Sequence, residues 1–175
     1  MFMEPLRIEN GACDVQGFNS WNDPILAMDI TEVDLMRQAD FMNSSGMKAL
    51  GYRYVNTDSG WQGGRFPNGT QYSHPVAFPH GIAWLADYIH ARGLLFGLYG
   101  SADTRDCAGP RYETKESPEP YEGSMYLEAQ DAAHWAAAGV DSLHVRCHQG
   151  IVVSHALSCR LSQRLLDLPC AGWPV

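Results

Sequence analysis

Three short clusters hold the residues best suited to chemistry: Gly17-Phe18-Asn19-Ser20-Trp21, Asp58-Ser59-Gly60-Trp61 and Tyr99-Gly100-Ser101. A carboxylate set among indoles and a phenol suits a sugar, because apolar ring faces stack on aromatics while hydroxyls need carboxylates and amides. Other chemistries find less support. The histidines His74, His80, His90, His134, His144, His148 and His155 show no HExxH or comparable ligand spacing, so no metal site is expected. No G-x-G-x-x-G follows a candidate strand and no P-loop is present, so no nucleotide cofactor is expected either. With 12 Lys+Arg against 20 Asp+Glu, the net charge of -8 argues against a nucleic-acid backbone as partner. No run approaches the roughly 18 apolar residues of a membrane helix. A small, neutral, hydroxylated ligand fits best.

The elements that must position these clusters alternate in type. Apolar Leu35, Met36, Ala39 and Met42 fall at helical spacing between Thr31 and Gly46, with Thr31 and Asp34 as a capping box and Gly46 as a stop. Tyr52 to Thr57 is β-rich and delivers the Asp58–Trp61 turn. After a Gly/Pro-rich stretch, a second helix runs from Gly81 to His90, with Gly93 beyond its end. Leu94 to Tyr99 is a continuous apolar run, the mark of a parallel strand buried on both faces. A third helix is predicted over Ser124 to Ala138, and a fourth strand over Val140 to Val145. Such alternation requires a parallel α/β sheet, open or closed. In the closed form, a (β/α)8 barrel, chemistry sits at the strand C-termini, where the three clusters lie.

Several residues have plainer readings. Trp61 and Trp84 read as core or rim packing, and Trp135 as packing of its helix on the sheet. Glu113, Glu116, Glu119 and Glu122 recur every third residue, but Pro118 and Pro120 interrupt any helix, so a solvated acidic loop is expected. Asn43-Ser44-Ser45 and Asn68-Gly69-Thr70 match the glycosylation sequon. The N-terminal MFMEPLRIENG shows no basic region followed by an apolar core, so these residues encode no export.

Composition changes near residue 143. Residues 1 to 143 hold nine Lys/Arg and nineteen Asp/Glu, a balance of -10, whereas residues 144 to 175 hold three Arg and one acid, a balance of +2. Cys147, Cys159 and Cys170 also crowd into the later segment, leaving Cys13 and Cys107 before it. Residues 151 to 168 could form an amphipathic helix with Leu157, Leu161, Leu165 and Leu168 in near register.

Four blocks then carry a resemblance: GFNSWN at 17 to 22, GYRYVNTDSGW at 51 to 61, FPHGIAWLADYIHARGLLFGLY at 78 to 99 and EGSMYLEAQDAAHWAAAGVDSL at 122 to 143. In this order they resemble the amino-terminal half of the barrel of glycoside hydrolase family 27, the α-galactosidases. The resemblance implies a truncated (β/α)8 barrel of about four βα units over residues 1 to 143. It also implies retaining hydrolysis of terminal α-galactosides, small or oligosaccharide, by two carboxyl groups about 5 Å apart, without a cofactor. Family members are usually secreted or lysosomal. No oligomeric state follows.

By this resemblance, Trp21 packs against the sugar and Asp58 accepts hydrogen bonds from its hydroxyls. Ser59 stands where the family has a second acid, forfeiting a charge-assisted contact. Tyr99 matches the aromatic at the third strand's end, and Cys107, eight residues on, matches a cysteine whose partner follows the fourth strand. There the family pattern is a lysine, any residue, the nucleophilic aspartate, any residue and the partner cysteine. This chain reads His144, Val145, Arg146, Cys147, His148. His144 replaces the lysine, and Cys147 is one residue early for a disulfide with Cys107. Arg146 occupies the nucleophile's place, and a guanidinium neither attacks an anomeric carbon nor deprotonates near neutral pH. The family's acid/base, on a later strand, has no counterpart in these residues. The expectation is an α-galactosidase relative without turnover, and alternatively a non-catalytic carbohydrate-binding fragment. Residues 144 to 175 are expected to be a divergent tail, such as translated intron or shifted-frame sequence.

Overall fold

The computed structural model describes residues 16–107, 122–146 and 155–157. Strand β1 (Gly17–Asn19) leads through two 3-10 turns to helix α1 (Glu32–Ser44), then β2 (Tyr54–Asn56), a hairpin of β3 (Gln62–Arg65) and β4 (Gln71–Ser73), and helix α2 (Gly81–His90). Strand β5 (Leu95–Ser101), helix α3 (Glu128–Ala137), β6 (Ser142–Arg146) and β7 (His155–Leu157) complete the described elements. The main sheet runs β1-β2-β5-β6-β7, with β1, β2, β5 and β6 parallel and β7 antiparallel to β6. Four parallel strands separated by three helices are the expected α/β half of a (β/α)8 barrel.

Local chemistry explains most of this. Thr31 and Asp34 form the predicted capping box, the Thr31 hydroxyl accepting from the Asp34 amide while the Asp34 carboxylate accepts from the Thr31 amide. Helix α1 buries Leu35, Ala39 and Met42, and α2 buries Leu85, Ala86 and Ile89. Both cover one face of the sheet, where Val55, Phe96 and Leu98 are buried. The Asp141 carboxylate accepts from the Phe96 amide at 2.9 Å and pairs with His90 at 2.7 Å, fixing the start of β6 to both β5 and α2.

Four expectations need correction. The third helix starts at Glu128 rather than Ser124, because the Ser124 amide donates to the Ser101 carbonyl and the Met125 amide to that of Asp103, holding these residues against the end of β5. The Gly/Pro-rich stretch after Trp61, for which no strands were expected, is a hairpin closed around Pro67-Asn68-Gly69. His155–Leu157 forms a strand on β6, where an amphipathic helix was expected over residues 151 to 168; the remainder of that span lies outside the described residues. Glu122, placed in a solvated loop, is 7% exposed. Its backbone is held to β4, where the Gln71 side-chain amide donates to the Glu122 carbonyl at 2.7 Å. Glu113, Glu116 and Glu119 lie outside the described residues.

Candidate functional site

Parallel pairing sets residues of neighbouring strands in rows, and residues two apart along a strand share a face. Asn19, Asn56, Gly97 and Ser142 form one such row across four strands. The Asn56 side chain lies over Gly97, where an added Cβ would come 1.7 Å from Asn56 Oδ1 and 2.7 Å from Ser142 Oγ, so only glycine fits. Asn56 Nδ2 donates to the Phe18 carbonyl at 3.0 Å, tying this polar row to β1. One row further, Tyr99 is opposite His144, and one further still, Ser101 is opposite Arg146.

At the β1 and β2 ends the predicted residues meet. Asn19 closes β1 with a divided side chain: Oδ1 accepts from the Trp21 amide at 2.8 Å, and Nδ2 donates to Asp58 Oδ2 at 3.2 Å. Ser20 is fully buried, and its hydroxyl accepts from the Asp58 amide at 2.8 Å. The other Asp58 oxygen accepts from the Ser59 amide at 2.9 Å. Trp21 remains 44% exposed, and Asp58 is half-buried. The Asp58 carboxylate can accept from hydroxyls, and the solvent-facing Trp21 indole can stack on an apolar ring face. Ser59, in contrast, is 2% exposed, and its hydroxyl is buried with no hydrogen-bond partner among the described residues.

Gly60 turns the chain below the carboxylate. Its φ of 104° lies in the left-handed region, and a Cβ there would come 2.4 Å from the Met28 carbonyl oxygen. The turn sends Trp61 inward, as the packing reading expected: it is 1% exposed, donates to the Tyr99 carbonyl at 2.9 Å and meets Trp135 edge-on at 6.4 Å. Trp135 packs on the sheet with its ring edge at Gly100. Trp84 sits on the rim, stacked between His80 and Tyr88.

At the β5 and β6 ends, Tyr99 is 2% exposed and stacks on His144 with centroids 6.1 Å apart. The structure therefore joins Tyr99 to His144 and joins Trp21 to Asp58. Arg146 is placed by its backbone register, opposite Ser101. The Cys107–Cys147 pairing lies outside the described residues, because Cys147 does.

Sequence reasoning missed a buried polar layer beneath this rim. Arg65 of β3 forks onto both oxygens of Asp131 in α3, at 2.7 and 2.5 Å, with side chains 7% and 0% exposed. The same guanidinium donates to the Gly69 and Gly123 carbonyls. Gln62 donates to buried Asp106 at 2.9 Å. Burial first, and Asp106 second, push the Glu122 carboxyl up to about 7. A separate cavity of about 270 Å³ lies between the hairpin and helices α2 and α3, lined by Phe66, Tyr72, His134 and Trp135 among others. None of Trp21, Asp58, Tyr99 or His144 lines it. Among the described residues no cluster of three or more His, Cys, Asp or Glu is placed to hold a metal ion.

Comparison with known proteins places this geometry. The family model described as Alpha galactosidase A matches residues 3–161. A probable alpha-galactosidase of Dictyostelium discoideum is 43% identical over 125 residues, 71% of this chain and 29% of that protein. The crystal structure of alpha-galactosidase I from Mortierella vinacea superposes with a TM-score of 0.65 at 36% identity, covering 74% of this chain and 30% of the other. The alpha-galactosidase from Saccharomyces cerevisiae, solved with raffinose, also gives 0.65, at 33% identity over 74% of this chain and 26% of its own. This chain thus spans under a third of the length of these relatives.

Proposed function

Because the chain belongs to the α-galactosidase family, we propose that it carries the galactoside-recognising part of that family's site without the family's hydrolytic chemistry. The ligand is a terminal α-D-galactoside, free or at the end of an oligosaccharide such as raffinose. Trp21 provides the stacking face, and Asp58 accepts from the sugar hydroxyls. Tyr99 and His144 wall the site from the neighbouring strands, and Ser59 lies beneath Asp58.

The register of β6 carries the second half of the proposal. It sets Arg146 opposite Ser101 at the strand's end, and the resemblance to the family pattern aligns Arg146 with the family's nucleophile. A permanently protonated guanidinium opposes an oxocarbenium-like transition state and supplies no electron pair to the anomeric carbon. Assay of the purified chain with a chromogenic α-galactoside is expected to show no turnover. Turnover that is abolished by Asp58→Ala would overturn this reading, and galactose binding seen by calorimetry without turnover would support it.

The alternative, a mis-spliced or frame-shifted product, draws on the composition change at residue 143. The family match continuing to residue 161 weighs against an abrupt boundary there. Sequencing the transcript across codons 140 to 150 separates the two, since an uninterrupted spliced frame encoding HVRCHQG excludes the alternative. A Cys107–Cys147 disulfide belongs to the first reading, and peptide mapping under non-reducing conditions tests it.

A further inference from the structure

Asp58 has lost its acidic neighbour in sequence, since Ser59 stands in that place and is buried. Its working neighbour comes from another strand. We infer that Asn19 is the positioning residue of the galactoside site, one amide that fixes Trp21 and Asp58 relative to each other. This rests on the reading given under Proposed function, which names neither Asn19 nor any coupling between the two contacts.

The two ends of the Asn19 side chain face different partners and use different chemistry. Its oxygen accepts from the Trp21 amide at 2.8 Å and so sets the first turn of the Ser20–Asn22 segment that presents the indole. Its nitrogen donates to Asp58 Oδ2 at 3.2 Å, leaving the aspartate's other oxygen on the Ser59 amide. Each Asp58 oxygen is thereby engaged once by the protein, and a carboxylate oxygen retains lone-pair capacity for a sugar hydroxyl. The strand that carries Asn19 is itself tied to β2, because Asn56, opposite Asn19 in the register, donates to the Phe18 carbonyl. Asn19 is 7% exposed, so it acts through Trp21 and Asp58 rather than by touching ligand. Only a side chain with both an acceptor and a donor at one branch point makes this link. Aspartate keeps the acceptor for Trp21 and removes the donor to Asp58, and alanine removes both.

That difference supplies the experiment, performed on the full chain with folding checked by circular dichroism. In Asn19→Ala, amide hydrogen exchange at Trp21 is expected to rise about tenfold, and affinity for methyl α-D-galactopyranoside to fall about three- to tenfold. In Asn19→Asp, Trp21 exchange stays near the wild-type rate while affinity falls at least as far. A residue that merely supports the fold would move both measurements together in both variants. Unchanged Trp21 exchange in Asn19→Ala, or undiminished affinity in Asn19→Asp, overturns the inference. If the wild-type chain binds no galactoside, the reading under Proposed function fails, and with it the role in binding. The Trp21 exchange still reports by itself whether Asn19 fixes that segment.

Discussion

At the β1–β2 end of the sheet rim, three hydrogen bonds tie Asn19, Ser20, Trp21 and Asp58 into one unit with an exposed indole. At the β5–β6 end, Tyr99 is buried against His144, and the register brings Arg146 opposite Ser101. By the resemblance, the first end keeps Trp21 and Asp58 but has Ser59 in place of the family's second acid, and it is organised by side chains from two adjacent strands. By the resemblance, the second end keeps Tyr99 and departs at His144 and Arg146, where the family pattern has its lysine and its nucleophile. Under the proposed function, recognition and reaction fall to different strands of this fold, so that one is kept while the other is lost.

The sharpest way to break this contrast is to cut the buried pair that ties the β3–β4 hairpin to α3, the helix that leads into β6. Asp131→Ala leaves the buried Arg65 guanidinium unpaired, which is expected to cost about 3–5 kcal/mol in urea unfolding. Native-state hydrogen exchange on that variant is expected to show α3 opening before the Trp21 amide does. Exchange that rises first at Trp21 would show that the two ends are not independent.

A smaller effect comes from Glu122, beside the same layer. Its carboxyl is raised in the folded chain from 4.5 to about 7, so the folded state holds the proton more tightly than the unfolded state. The sign follows: this group costs nothing below about pH 4.5, and stability falls as pH climbs from there through 7. The loss is on the order of 3 kcal/mol at most. Urea midpoints at pH 5 and pH 8 check this, and Glu122→Gln is expected to flatten the difference. If that variant keeps the full slope, Glu122 is not its source.

The smallest effect is expected at the start of α1, where the capping hydrogen bonds involve none of the rim residues. Thr31→Ala removes half of the capping box of α1 and is expected to cost about 1 kcal/mol without changing galactoside affinity. An affinity change in that variant would mean that α1 transmits strain to the rim.

The sequence was most legible where a rule is local. The capping box, the apolar faces of α1 and α2 and the buried run of β5 all follow from neighbours within a turn or a strand. The β3–β4 hairpin escaped because Gln62-Gly63-Gly64-Arg65 contains no strong β-former. Its strands are held instead by Tyr72 lying over the two glycines and by Arg65 reaching across 66 residues to Asp131. Glu122 escaped for the same reason. Its backbone is held by Gln71 of β4, a distant residue that no local pattern connects to it. In the site, Trp21 and Asp58 were named from aromatic and acidic residues at strand ends. Asn19 lay within the same quoted cluster and was passed over, because a linking amide has no spacing signature of its own.

Strand β7 has a consequence for the growth of the sheet. A barrel of this type advances by adding strands of one direction, each entering beside the last with its helix outside. β7 reverses that direction on the β6 edge, pairing Leu143 with Leu157 and Val145 with His155. The amides and carbonyls on that edge are spent on a backward-running neighbour. A parallel fifth strand, from this polypeptide or from a complementing one, must therefore evict β7 before it can dock, which makes the hairpin a competitor of barrel closure.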